Sequence, residues 1–205
     1  MTSKELYMMN GGKTFYIYKD GFGDVYNATP AEEAQWKAEL LDQYRDRLSV
    51  EDSPSILKQI IENLEYHQAE GLIPQVESLL ETASSRRKTV LVSQLWRMTG
   101  YPAAFSKLVG ILKEHRETCL DEVFLALIEM KGSPEAAAFL WDLLQSDDTL
   151  LAKKAHTTLV MWAYTGLPEL RKTGLETDLK PEVKTADPAA FSKALAAVRR
   201  VLRLS

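Results

Sequence analysis

From Thr29 onward the apolar residues return every three or four positions. Trp36, Leu40, Tyr44 and Leu48 stand four apart, which places them on one stripe of a helix. The stretch TPAE predicts where that helix starts. Thr29 suits the N-cap, Pro30 the first helical position, and the Glu32 carboxylate can accept the cap's own backbone N–H. DSPS predicts a second start at Ser53 and Pro54. Residues 13–27 read differently, because TFYIY is dense in β-branched and aromatic side chains and KDGFGD separates it from VYN. That pattern predicts a short β-hairpin. Asp20 and Asp24 flank its glycines, but Phe22 occupies the place where a calcium loop needs an oxygen ligand, so they read as a turn. The expected organisation is an N-terminal hairpin segment over 1–28 and a helical domain over 29–205.

Beyond Ser53 the pattern repeats. HQAEGLIP, WRMTGYP, IEMKGSP and WAYTGLP each close a predicted helix on a glycine, with a proline one to three residues later. Glycine can take the left-handed conformation that stops a helix, and proline near the next start has no N–H to waste. Gly71, Gly100, Gly132 and Gly166 stand 29, 32 and 34 residues apart, room for two helices and two turns. Four residues before each glycine stand His67, Trp96, Ile128 and Trp162, and five before it Tyr66, Leu95, Leu127 and Met161. The second helices carry Val76, Leu79, Leu80; Phe105, Leu108, Val109, Leu112; and Ala137, Leu140, Trp141, Leu144. The hexapeptide PAAFSK occurs at 102–107 and again at 188–193, with Phe105 and Phe191 as expected core anchors and Lys107 and Lys193 facing water. Residues 167–186 interrupt the last unit with a charged stretch broken by Gly174 and Pro181, which predicts a loop or a short turn of helix.

This punctuation, from Ser53 to Leu204, resembles the short bacterial HEAT-like repeats and covers about three quarters of the chain. The resemblance implies a mostly α fold, a right-handed α-solenoid of antiparallel helix pairs. It says little about activity. Solenoids commonly hold another macromolecule on the ladder of second helices. If the stripes above face the core, the outward positions there include Ser78, Glu81, Lys107, Lys113, Phe139 and Asp142. Phe139 falls outside the predicted stripe beside an aspartate, as an interface anchor would, and packing against a neighbouring repeat is the competing role.

Charge and chemistry narrow the picture. Net charge is −4, with 25 Lys and Arg against 29 Asp and Glu, so there is no global positive field to attract nucleic acid or anionic lipid. No window approaches 18 consecutive apolar residues, and the start of the chain does not read as a secretory signal. A single cysteine, Cys119, excludes an internal disulfide and fits a reducing compartment, so the expected location is the cytoplasm. His67, His115 and His156 have no ligand spacing, no HExxH occurs, and the His-Glu pairs of HEAT-like hydroxylases are missing from the sequence. Neither GxSxG nor a phosphate-binding glycine loop is present. The basic groups at 86–88 and 199–203 and the acidic pair Asp147 and Asp148 read as helix-end charges. No catalytic residue, metal or cofactor is therefore expected.

These readings converge on a non-enzymatic protein-binding scaffold. Within that class they suggest a cytoplasmic bacterial immunity protein that neutralises a toxin, or an assembly adaptor. The alternative comes from the same resemblance: HEAT-like DNA glycosylases acting on alkylated bases use tryptophans and an aspartate on the concave face. Trp141, Asp142, Trp96 and Trp162 are the residues that could correspond.

Overall fold

Thr29 caps its helix as the sequence predicts. Its hydroxyl accepts from the Glu32 N–H at 3.3 Å, and its own N–H donates to the Glu32 carboxylate at 2.8 Å. That reciprocal bond holds the Glu32 carboxyl below its ordinary range. The computed structural model describes residues 2–13 and 28–204. All regular structure among them is helical. The hairpin expected at 13–27, with its turn at Asp20 and Asp24, lies outside the described residues except for Lys13. The chain divides into two compact units, Met1–Glu81 and Thr82–Ser205, a boundary inside the stretch read from sequence as one array.

The first unit holds α1 (Ser3–Met9), α2 (Pro30–Val50), α3 (Pro54–Tyr66) and α4 (Leu72–Thr82). The sequence reading missed α1, although Thr2 and Glu5 form a capping box for it like that of Thr29 and Glu32. Tyr7 of α1 packs its ring on Trp36 of α2, and Leu40 completes this small cluster. Lys4 pairs with Glu39 across the same contact at 2.6 Å. The stripe predicted on α2 is correct: Trp36, Leu40 and Leu48 are buried and Tyr44 is half-buried. Burial pushes the Tyr44 phenol up, while the Asn63 amide that donates to it at 3.0 Å opposes the shift. Ser53 precedes α3 but does not cap it through its side chain.

The second unit holds α5 (Ser85–Thr99), α6 (Ala104–Glu114), α7 (Arg116–Glu129), α8 (Pro134–Leu144), α9 (Thr149–Thr165), a 3-10 helix (Pro168–Thr173), α10 (Pro181–Ala186) and α11 (Pro188–Val201). α5 packs on α6 and α7, α7 on α9, and α8 on α9 and α11. The predicted second-helix stripes hold in part: Leu108 and Leu140 are fully buried, with Leu112, Ala137 and Leu144 close behind, whereas Phe105, Val109 and Trp141 are only half-buried.

Two details differ from the glycine rule. Gly100 is a left-handed cap directly on its helix (φ 68°), but Gly166 is extended, and α9 ends instead as its N–H and that of Leu167 both reach the Trp162 carbonyl. At α3 the left-handed turn is made by Gln68 (φ 54°), three residues ahead of Gly71. The glycine therefore directly follows the helix at α5 and α9 but stands further on at α3 and α7, and burial of the slots counted back from it varies independently of that distance. Leu95, Leu127 and Trp162 are fully buried, whereas Tyr66 and Met161 are exposed.

Of the loop or short turn of helix expected at 167–186, the structure shows the helical alternative, a 3-10 helix and α10 joined by a turn. The 3-10 helix packs on α9 and α11, and Leu170, Leu175 and Leu179 are each 0 % exposed. The His156 ring donates from Nε2 to the Leu175 carbonyl at 2.8 Å, tying the insertion to α9. Charged residues dominate the composition of this segment, and the three leucines that fold it are easily lost among them.

Candidate protein-binding surface

The second unit builds its two helix sets with different chemistry. The first helices α5, α7 and α9 are laced together by charge. Arg86 pairs with Glu122, Arg116 with Asp148 at 2.5 Å, and Lys154 with Asp121 at 2.5 Å. Trp162 adds a buried tie, its indole N–H donating to the Leu127 and Ile128 carbonyls at 3.1 Å each. Lys131 donates to the Thr165 carbonyl at 2.8 Å. Asp148 doubles as the N-cap of α9, accepting from Leu150 and Leu151. The Leu151 N–H, followed by Arg116 and then the Leu150 N–H, holds its carboxyl below the ordinary range.

The second helices meet through rings instead. Phe105 of α6 meets Phe139 of α8 edge to face, with centroids 5.7 Å apart. Trp141 of α8 donates to the Leu195 carbonyl of α11 at 3.4 Å, and Arg199 lies over its ring at 5.3 Å. Among the six residues singled out from sequence, Phe139 is half-buried in that ring contact, so the packing role describes the contact it makes. Lys107 and Lys113 on α6 and Asp142 on α8 are exposed, as is Lys193 on α11. None of these four makes a salt bridge to a described residue. Ser78 and Glu81, also exposed, sit on α4 in the first unit, and the Ser78 hydroxyl donates locally to the Gln75 carbonyl at 2.8 Å.

Charge divides between the units in a way that the chain's total conceals. Residues 1–81 carry 15 Asp and Glu against 7 Lys and Arg, a net −8; residues 82–205 carry 14 against 18, a net +4. Counting charge over the whole chain missed this, although the signal is legible once the boundary is known.

Groups with chemical potential are engaged elsewhere. Cys119 is fully buried, and the His67 ring, also buried, donates from Nε2 to the Gly11 carbonyl at 2.7 Å. The described residues include no group of three or more His, Cys, Asp or Glu side chains placed to hold a metal. Nor is any described helix long and apolar enough to cross a membrane. Compared with family models, curated proteins and solved structures, the chain gives no match.

Proposed function

We propose that this protein is a non-enzymatic binding scaffold. Its helix pairs would stack as a HEAT-like α-solenoid, and the α6, α8 and α11 surface would hold another protein. The observation that carries the reading is the contrast in charge pairing. Arg86, Arg116 and Lys154 on the first helices each pair with an acid of a neighbouring first helix or its cap, whereas Lys107, Lys113 and Lys193 on the second helices, like Asp142, are left without such partners. Cations arrayed around an aromatic seam suit a partner with a complementary acidic surface, through which association is steered. A cytoplasmic bacterial setting, as an immunity protein neutralising a toxin or as an assembly adaptor, is the specific form of this proposal.

The glycosylase alternative needs open tryptophan faces for a flipped base. Trp162 is fully buried, and Trp141 is held between Leu195 and Arg199, which argues against it. The test is a native pull-down with mass spectrometry, run on the protein and on its K107E/K113E/K193E variant. A binding scaffold of this kind returns a stoichiometric protein partner that the variant loses. An unchanged set of proteins, or recovery of nucleic acid alone, refutes the reading.

A further inference from the structure

Between two buried anchors, Leu179 and Phe191, the chain runs without a buried residue. α10 lies in this stretch. It is six residues long and buries no side chain: Pro181 and Val183 are half-buried, and Glu182, Thr185 and Ala186 are exposed. A helix of that length does not hold itself in water, so contacts outside it must keep it wound. It packs on α11 and α9. Among the described residues, Lys184 is the one α10 side chain with a hydrogen bond or ion pair to another element.

The Lys184 ammonium reaches the turn between α8 and α9. It donates to the Gln145 carbonyl at 2.7 Å, to the Asp147 carboxylate at 2.9 Å and to the Ser146 carbonyl at 3.4 Å. Three acceptors match the three N–H groups of an ammonium. Gln145 is the C-cap of α8, so the two carbonyls stand at the end of that helix, where its dipole favours a cation. The Asp147 carboxylate is fully exposed, so its attraction is screened and the carbonyls dominate the contact. Lys180 and Glu182, the neighbouring charges, are exposed and pair with no described residue. The hold passes on to α11. The Asp187 N–H donates to the Val183 carbonyl at 2.8 Å, and the Asp187 carboxylate caps α11 by accepting from the Ala190 N–H at 3.0 Å.

We propose that residues 180–187 form a strap latched by Lys184: its ammonium, seated on the C-terminal end of α8, keeps α10 wound and so fixes the cap from which α11 starts. Lys184 is thus a positioning residue. Its release unwinds α10 and frays the first turn of α11, directly ahead of Lys193 in the second turn. The inference deepens the scaffold reading, which rests the partner surface partly on Lys193. The latch is nevertheless measured in the free protein, so either can fail alone.

The test is amide hydrogen exchange by NMR on the full chain and on K184M, which keeps an unbranched apolar stem but removes the donors. In the unaltered protein the Asp187 and Ala190 amides are expected to exchange about tenfold or more below the rate of an unstructured chain. In K184M both speed up by about fivefold or more, while the buried stretches of α7 and α9 keep their rates, which separates local opening from a general loss of stability. D147A leaves both carbonyls in place and changes the two amides by less than about twofold. Unprotected Asp187 and Ala190 amides in the unaltered protein, or unchanged rates in K184M, overturn the latch. So does faster exchange spread evenly through α7 and α9, or a D147A effect equal to that of K184M, since the contact would then be a surface ion pair. A pull-down that returns no partner, with these rates as expected, removes the scaffold reading and leaves the latch standing.

Discussion

Trp162 offers the sharpest test of how the second unit is held together. It is fully buried, and its single N–H is shared between two carbonyls of α7 at equal distance, so replacing it removes one hydrogen bond and one large apolar contact. The acceptors are not equally dependent on it. Leu127 O also receives the Met130 N–H at 3.1 Å, but α7 ends at Glu129, and the Ile128 carbonyl loses the donor that reaches it from α9. Trp162→Phe should therefore cost about 1 kcal/mol for the bond and about as much again for the space left by the smaller ring, roughly 2 kcal/mol in all. Trp162→Ala should cost roughly 3–5 kcal/mol. Because the tie joins α9 to α7, the proposed linear array makes a further demand: loss of one interface loosens coupling between its neighbours. Urea unfolding followed by far-UV circular dichroism should show a lower midpoint for W162F, and for W162A a lower m-value or a split transition as well. A W162F cost under about 0.5 kcal/mol would refute the energetic argument. A W162A transition that shifts without broadening would refute the array.

Three further outcomes follow from other sites. Asp148→Ala removes both the cap of α9 and the partner of Arg116. The folded-state pKa of Asp148 is depressed, so its contribution is present above the unfolded value and is lost as pH falls through the folded one. The stability gap between wild type and variant, measured by thermal melts, should therefore be open at neutral pH and close in acid, and a gap independent of pH would contradict the assignment. Leu175→Ala, inside the insertion, should cost roughly 2–5 kcal/mol because the side chain is fully buried, whereas a solvated loop would tolerate it; denaturant titration decides. Gly12→Ala should destabilise the first unit by more than about 1 kcal/mol, since φ is +68° and a Cβ there would lie 2.8 Å from the Tyr7 hydroxyl and the His67 ring; an unchanged melting temperature would contradict this.

Local rules were the legible part of the sequence. Capping boxes, proline at helix starts and the stripe on α2 depend on residues a few positions apart, and their physics is complete within one turn. The legible site information was similarly local: Lys107 and Lys113 are exposed because the buried stripe of α6 lies elsewhere. What could not be read is set by distant partners. Phe139 looks outward on a helical wheel only until Phe105 arrives from another helix to cover it. Met161 stands five residues before Gly166 as Leu95 stands five before Gly100, and both helices end on the residue before the glycine. Leu95 is nevertheless buried and Met161 exposed, so the surroundings of each helix set the difference. Leu170, Leu175 and Leu179 do not repeat at helical spacing, so no periodicity announces them; they are buried because a 3-10 helix, a turn and α9 close over them.

The two copies of PAAFSK show how far identical sequence constrains structure. In the second copy Asp187 precedes the hexapeptide, its carboxylate accepts from the Ala190 N–H at 3.0 Å, and the helix begins at Pro188. In the first copy Tyr101 stands there instead, Pro102 and Ala103 form a turn, and the helix begins two residues later at Ala104 with no side-chain cap. The neighbour outside the repeat thus decides where the helix starts. The anchors diverge as well: Phe191 is buried, while Phe105 is half-buried and turned to meet Phe139. The lysines keep their role, both exposed and both without an ion-pair partner. A position that stays cationic and unpaired through two different local frames is not explained by capping or by packing, since those are what changed, and this makes Lys107 and Lys193 the first residues to alter when the second-helix surface is tested.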